Sequence, residues 1–176
     1  MEVKELSLPE ARLLRPKTFF DERGFFRETF RKPLYRQAGI DCDFVQDNHS
    51  FSKQWTLRGM HFQRSPGQAK LVMVMEGKIF DVLVDIRPHS PTFGRWEGVY
   101  LDASQGEQLF IPTGYAHGFC VMSEHAHVCY KVSTLYDLSE ERSFCYNDPF
   151  VGIVWPVEKP LLSERDRKAP LLKEVV

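Results

Sequence analysis

Leu71-Val-Met-Val-Met75, Glu76-Gly-Lys78 and Ile79-Phe-Asp-Val-Leu-Val-Asp-Ile86 form one continuous stretch that decides the fold class. From Ile79 the pattern has period two. Phe80, Val82, Val84 and Ile86 share one face, and Ile79, Asp81, Leu83 and Asp85 share the other. The apolar run Leu71–Met75 meets this segment at a glycine-centred turn, so the stretch predicts a β-hairpin. Working outward, runs at Trp96–Leu101, Gln108–Ile111, Gly118–Met122 and His127–Thr134 recur about every ten residues between Gly, Pro, Asp, Ser and Glu. That spacing predicts an all-β protein, a sandwich or barrel of antiparallel strands. Helical signals are short and peripheral. Lys32–Ala38 has Pro33 near its start and Gly39 past its end, and Ser163-Glu-Arg-Asp166 has the form of a capping box. No repeat, linker or low-complexity tract divides residues 1–176, so a single domain is expected, with a mobile tip at Lys168–Val176.

Charge and composition narrow the function classes. The chain carries 23 Lys+Arg against 24 Asp+Glu, a formal net charge of −1, and no basic block that would track a phosphate backbone. No apolar run approaches the roughly 20 residues that cross a bilayer. Nucleic acid and membrane are therefore not expected as partners. A chain of this size buries roughly 70% of its unfolded surface and needs no disulfide or structural metal to hold a core. The four cysteines contain no C-x-x-C pair, and Met1–Leu14 lacks a charged start followed by a long apolar run. A reducing cytoplasm is the expected location.

The polar residues that can do chemistry cluster. Gln46-Asp-Asn-His-Ser50 is followed by Leu57-Arg-Gly-Met-His-Phe-Gln63 and by Lys70 at the head of an apolar strand. Arg58 and Lys70 are costly to bury without an anion, which points to a negatively charged ligand; a rim ion pair is the plain alternative for both. His61 reads as an acid–base group or as a hydrogen-bonded packing residue. Strict alternation places Arg58 and His61 on opposite faces unless Gly59 marks a bulge. Tyr130 lies on the face of Val128 and Val132, with Lys131 opposite, so it points inward and its hydroxyl needs a partner, structural or catalytic. Asp166 reads either as the capping partner of Ser163 or as a carboxylate that fixes a histidine tautomer. In Phe20-Asp-Glu-Arg-Gly-Phe-Phe-Arg-Glu28, Arg23 is suited to gripping phosphate and Phe25 to stacking on a base, while edge-strand protection would look alike.

Gly106-Glu-Gln-Leu-Phe-Ile-Pro-Thr-Gly-Tyr-Ala-His117 has the spacing G-x5-P-x-G-x2-H and resembles the second motif of the cupins, whose histidine points into the barrel. A catalytic metal wants about three converging protein ligands. Where the first cupin motif carries H-x-H, this chain has His61-Phe-Gln63, so no metal or other cofactor is expected, and His61 and His117 are free for proton transfer or hydrogen bonding. His125 and His127, beside Glu124, are expected at a solvated turn and strand start.

Taken together, Asp21-Glu-Arg-Gly-Phe-Phe26, Phe44-Val-Gln-Asp-Asn-His-Ser50, Leu57–Gln63, Phe80–Arg87, Ser90-Pro-Thr-Phe-Gly94, Ile111–Phe119, Tyr130-Lys131, Asn147-Asp148 and Trp155-Pro156 closely resemble the dTDP-4-dehydrorhamnose 3,5-epimerase family over nearly the whole chain. The resemblance implies a metal-free cupin-type antiparallel jelly roll, acting as a homodimer on a dTDP-sugar. It implies inversion at C3 and C5 of dTDP-4-dehydro-6-deoxy-D-glucose by proton abstraction beside the C4 ketone. By the same resemblance the base falls on His61, its carboxylate partner on Asp166, the proton donor on Tyr130 and the residue beside the carbonyl on Lys70. Arg23, Glu28, Gln46, Asn48, Arg58, His117, Glu141 and Arg165 fall on positions that bind the nucleotide sugar. Glu124-His-Ala-His-Val-Cys129 departs from the family pattern by its histidines. Single-position epimerases and ketoisomerases of related deoxysugars share much of the pattern. A metal-dependent cupin and a non-catalytic sugar-nucleotide-binding jelly roll are the rival readings.

Overall fold

A computed structural model describes residues 1–176. Two antiparallel sheets face each other. The first has six strands: β1 (Glu2–Glu5), β2 (Arg12–Arg15), β5 (Gln46–Lys53), β7 (Lys70–Glu76), β10 (Gln108–Ile111) and β12 (His125–Val132), in the order β1-β2-β10-β7-β12-β5. The second contains β6 (Leu57–Gln63), β8 (Lys78–Asp85), β9 (Trp96–Asp102), β11 (Tyr115–Val121) and β13 (Glu141–Ser143), in the order β13-β6-β11-β8-β9. A separate two-stranded ribbon, β3 (Thr18–Asp21) with β4 (Gly24–Arg27), is hydrogen-bonded to neither. Two short helices, α1 (Lys32–Gln37) and α2 (Glu164–Arg167), lie at the periphery, as the sequence predicts.

The period-two pattern of Ile79–Ile86 acquires its meaning from these layers. Ile79 and Leu83 project between the sheets and meet Val72, Val74, Leu109 and Val128 from the opposite one. Phe80, Val82, Val84 and Ile86 form a second cluster on the outer face of the five-stranded sheet. The C-terminal segment covers that face. Phe144, Val151, Ile153 and Leu172 belong to the same cluster, and the Leu172 N–H donates to Asp148 Oδ2 at 2.6 Å. The tip expected to be mobile is therefore docked by a fully buried leucine. Burying one such side chain contributes about 2 kcal/mol, enough to hold a short terminal segment in place.

The hairpin expected between Leu71–Met75 and Ile79–Ile86 does not form. β7 pairs with β10 and β12, whereas β8 pairs with β9 and β11. Glu76-Gly77-Lys78 is a corner between sheets. Gly77 sits at φ +85°, and a Cβ there would lie 2.2 Å from the His125 carbonyl oxygen, so the chain turns against the start of β12. The turn at Pro112-Thr-Gly114 likewise carries the chain from β10 in one sheet to β11 in the other and leaves His117 inside.

Candidate active site

One cavity of about 400 Å³ opens between the sheets. Gln46, Asn48 and Ser50 of β5, Lys70 of β7 and Tyr130 of β12 line it from the six-stranded sheet. Arg58, His61 and Gln63 of β6, His117 and Phe119 of β11 and Glu141 of β13 line it from the five-stranded sheet. His61 and Tyr130 thus project from opposite walls.

Arg58 and His61 share this cavity because β6 is irregular. His117 pairs with His61 and Phe119 with Arg58, so β6 spends one more residue than β11 over this interval. The extra residue is accommodated at Gly59, at φ +123°. A Cβ on Gly59 would approach Gly118 Cα to 2.6 Å, and one on Gly118 would meet Met60 Sδ at 2.6 Å, so two glycines back to back let the strands close over the bulge. Arg58 donates to Ser52 Oγ at 2.9 Å and to the Phe51 carbonyl at 3.2 Å, both neutral acceptors. It is not held in a rim ion pair, and its charge stays available for an anion.

His61 Nε2 lies 2.6 Å from Asp166 Oδ1. Asp166 is buried, which by itself would raise its carboxyl pKa, but hydrogen bonds and charge from His61, with Ser163, outweigh burial and hold it below the usual value. An ionised carboxylate only accepts, so Nε2 carries the hydrogen and Nδ1 keeps the lone pair. Both readings of Asp166 therefore hold at once. Its backbone N–H donates to Ser163 Oγ at 3.0 Å as a helix cap, and Ser163 Oγ donates to Oδ2 at 2.8 Å while Oδ1 faces His61.

Lys70 is 6% exposed, and its Nζ donates weakly to the His61 carbonyl at 3.4 Å. Burial pulls its pKa from 10.5 down to about 8, against the upward pull of Asp81 and Glu141. The ammonium form still dominates at neutral pH. His117, also buried, is pushed down by desolvation more than Asp81 pulls it up, so the neutral ring donates Nε2–H to Asp81 Oδ1 at 2.8 Å. Burial raises the Tyr130 phenol, which Arg58 opposes and Glu141 reinforces; it keeps its proton at neutral pH. Arg165 stands one layer back, gripping Glu141 at 2.6 Å, and Tyr136 donates to the same carboxylate at 2.8 Å. Desolvation would raise Glu141, but these two hydrogen bonds keep it below the usual range.

Arg165 and Asp166 stand behind Glu141 and His61, and three further expected residues are not brought to this cavity at all. Arg23 sits at the tip of the β3–β4 ribbon in an exposed pair with Asp21 at 2.6 Å, Phe25 is 62% exposed on the same ribbon, and Glu28 faces Arg31 at 3.6 Å. Conversely, Gln63, Gln68, Ser50 and Tyr136 line the cavity without having been singled out. Gln63 is the legible one, two residues from His61 on the same strand. His125 and His127 lie on the outer side of β12, partly exposed, against Glu76 at 2.9 Å and His49 at 2.8 Å. No three His, Cys, Asp or Glu side chains stand close enough together to hold a metal ion. The four cysteines are free, and no helix is long and apolar enough to cross a membrane.

Fold and cavity together define a jelly-roll enzyme with acid–base side chains facing a polar, cationic pocket. Comparison with known proteins makes the assignment specific: the chain belongs to the dTDP-4-dehydrorhamnose 3,5-epimerase family, whose model matches residues 5–174. It is 48% identical over 168 residues to dTDP-4-dehydrorhamnose 3,5-epimerase of Shigella flexneri, covering 94% of this chain and 93% of that protein. It superposes on the crystal structure of dTDP-6-deoxy-D-glucose-3,5-epimerase RmlC from Legionella pneumophila in complex with dTDP-4-keto-L-rhamnose with a TM-score of 0.96 and 44% identity, covering 99% of this chain and 94% of that one. It also resembles ChmJ, a 3'-monoepimerase from Streptomyces bikiniensis in complex with dTDP-quinovose, at a TM-score of 0.89 and 38% identity, covering 96% and 86%. The family is one of isomerases, and its fold is the cupin-like jelly roll that the strand pattern and the Gly106–His117 motif predict.

Proposed function

We propose that the chain converts dTDP-4-dehydro-6-deoxy-D-glucose to dTDP-4-dehydro-L-rhamnose, with His61 as base and Tyr130 as acid. The observation that carries this reading is the placement of these two groups on opposite walls of one cavity, with a buried ammonium between the sheets. Hydrogens at C3 and C5 are acidic because each carbon flanks the C4 ketone. His61 Nδ1 takes the proton, the electron pair moves onto the C4 oxygen, and Lys70 stabilises the enolate. The phenol of Tyr130 then returns a proton from the other face, and the carbon is inverted. Asp166 holds the tautomer that leaves Nδ1 free and steadies the imidazolium. Arg58, with Gln46, Asn48 and His117, anchors the nucleotide sugar, so that binding energy remote from the ring fixes its orientation.

The test separates removal of the proton from its return. In D2O the native enzyme washes deuterium into C3 and C5 of the substrate. Tyr130→Phe is expected to keep exchange within about tenfold of native while lowering inverted product about 10²-fold, the lower end of general-acid assistance. Undiminished formation of inverted product by Tyr130→Phe would remove its role as acid. Nucleotide-sugar binding without any exchange in the native protein would favour the non-catalytic jelly roll.

The same reading includes a cytoplasmic homodimer in which the β3–β4 ribbon of one protomer serves the cavity of the other. What supports this is the exposure of Phe19, Phe20, Phe25 and Phe26 on a ribbon that belongs to neither sheet, together with the absence of Arg23 and Glu28 from the lining of their own cavity. Mixing two variants tests it. Arg23→Ala and His61→Ala homodimers are each expected to be nearly inactive. If the ribbon crosses over, a mixed dimer has both defects in one site and none in the other, so activity reappears on mixing. If each ribbon served its own site, both sites of the mixed dimer would stay defective.

A further inference from the structure

Asp81 is the one fully buried carboxylate behind the cavity that the chemistry above leaves without a role. It lies on β8 between Ile79 and Leu83, on the face that packs between the sheets, and is 0% exposed. Its Oδ1 accepts from His117, but its Oδ2 is buried with no hydrogen-bond partner. An orphaned carboxylate oxygen in an apolar layer is costly unless a cation stands nearby. Lys70 is the buried cation on which Asp81 acts without a direct ion pair, and it is itself short of acceptors, with only a 3.4 Å contact to the His61 carbonyl. We propose that Asp81 is a positioning residue, whose spare oxygen acts as the counter-charge that keeps Lys70 an ammonium in the cavity before substrate arrives.

The groups that face Lys70 from the surrounding elements are Asp81 on β8, Glu141 on β13, His61 and Arg58 on β6, His117 on β11 and Tyr130 on β12. Two of these are carboxylates. Glu141 is already gripped by Arg165 and hydrogen-bonded by Tyr136, so much of its field is spent elsewhere. Asp81 meets only a neutral imidazole. Its pull on Lys70 is accordingly the larger of the two, and without it burial would drive the ammonium further toward the neutral amine. A neutral amine stabilises an enolate oxygen far less than an ammonium does. The arrangement stores the charge that the reaction needs without an ion pair that substrate would have to break.

The inference rests on the proposed role of Lys70, so the experiment reads the two separately. With lysine labelled with 13C at Cε, Lys70 is titrated by NMR in the free enzyme, its resonance assigned by its loss in Lys70→Arg. The native midpoint is expected near pH 8. In Asp81→Asn, which keeps the shape and the acceptor for His117, it should fall by about one unit or more, the usual effect of removing a close opposite charge. The alkaline limb of kcat/KM should move down with it. A folded Asp81→Asn with an unmoved midpoint overturns the proposal. A midpoint that shifts while the alkaline limb stays in place keeps Asp81 as counter-charge and removes Lys70 from the chemistry. Should Asp81→Asn not fold, His117→Leu decides. Leucine has no donor for Asp81, so it frees both carboxylate oxygens and should move the midpoint up, and no upward movement counts against the proposal.

Discussion

Replacement of His61 by alanine is expected to lower deuterium exchange at both C3 and C5 by about 10⁴-fold, the upper end of what a positioned base supplies. A single imidazole serves both carbons in this site, because the carboxylates near it are already committed, Asp166 to the ring and to Ser163, Glu141 to Arg165 and Tyr136. Loss at one carbon alone would therefore point to a second base. Alanine also strands Asp166 Oδ1 in a buried place, which costs about 1–3 kcal/mol of stability and invites the objection that the variant is merely damaged. His61→Asn answers it. The asparagine amide can still donate to Asp166 but cannot take a proton from carbon, so it should match native thermal stability more closely than alanine while remaining as inactive. Exchange measured by NMR at each carbon, beside a melting curve for both variants, checks the argument. Substantial exchange in a folded His61→Asn protein would dismiss the histidine as base.

The sequence discloses strands more readily than their partners. Gln108–Ile111 has the bounds of β10, and the glycine past Lys32–Ala38 ends the helix at φ +77°. The apolar run at Leu71–Met75 is a strand too, but periodicity carries no information about which sheet it joins. A corner glycine that packs against a neighbouring carbonyl reads the same as a hairpin glycine. The bulge at Gly59 was legible only as a condition, because the chemistry of Arg58 and His61 demanded a shared face that alternation denied. Asp166 lies 105 residues from His61, and its capping role is satisfied by local residues, so nothing local announces the second contact. Arg23 and Phe25 were read from the alternation of charge and aromatic residues in 20–28, and Glu28 from resemblance to other chains, signals that cannot tell whose cavity a ribbon serves. Asp81 was printed openly as a polar residue in a buried strand. Its meaning emerged only when one of its oxygens proved to have no partner.

Lys70→Met should reduce kcat by about 10²–10³-fold, equivalent to the roughly 3–4 kcal/mol carried by one donor aimed at a developing oxyanion. Binding should change less, since the ketone oxygen of the ground state has little charge for the ammonium to meet. The melting temperature is what makes the experiment decisive. In the folded protein burial outweighs the attraction of Asp81 and Glu141, so the ammonium costs stability at neutral pH. Between pH 8 and 10.5 the unfolded chain holds a proton that folded Lys70 has released, so the native protein gains stability as pH rises through that window. Methionine has no charge to desolvate and no such slope. The variant should therefore melt no lower than native at pH 7, and its relative advantage should shrink toward pH 10.5. An inactive variant with unimpaired stability places the lost energy in the transition state, as expected of a site that trades stability for reactivity. A rate within tenfold of native would show that the enolate is stabilised by something other than this lysine.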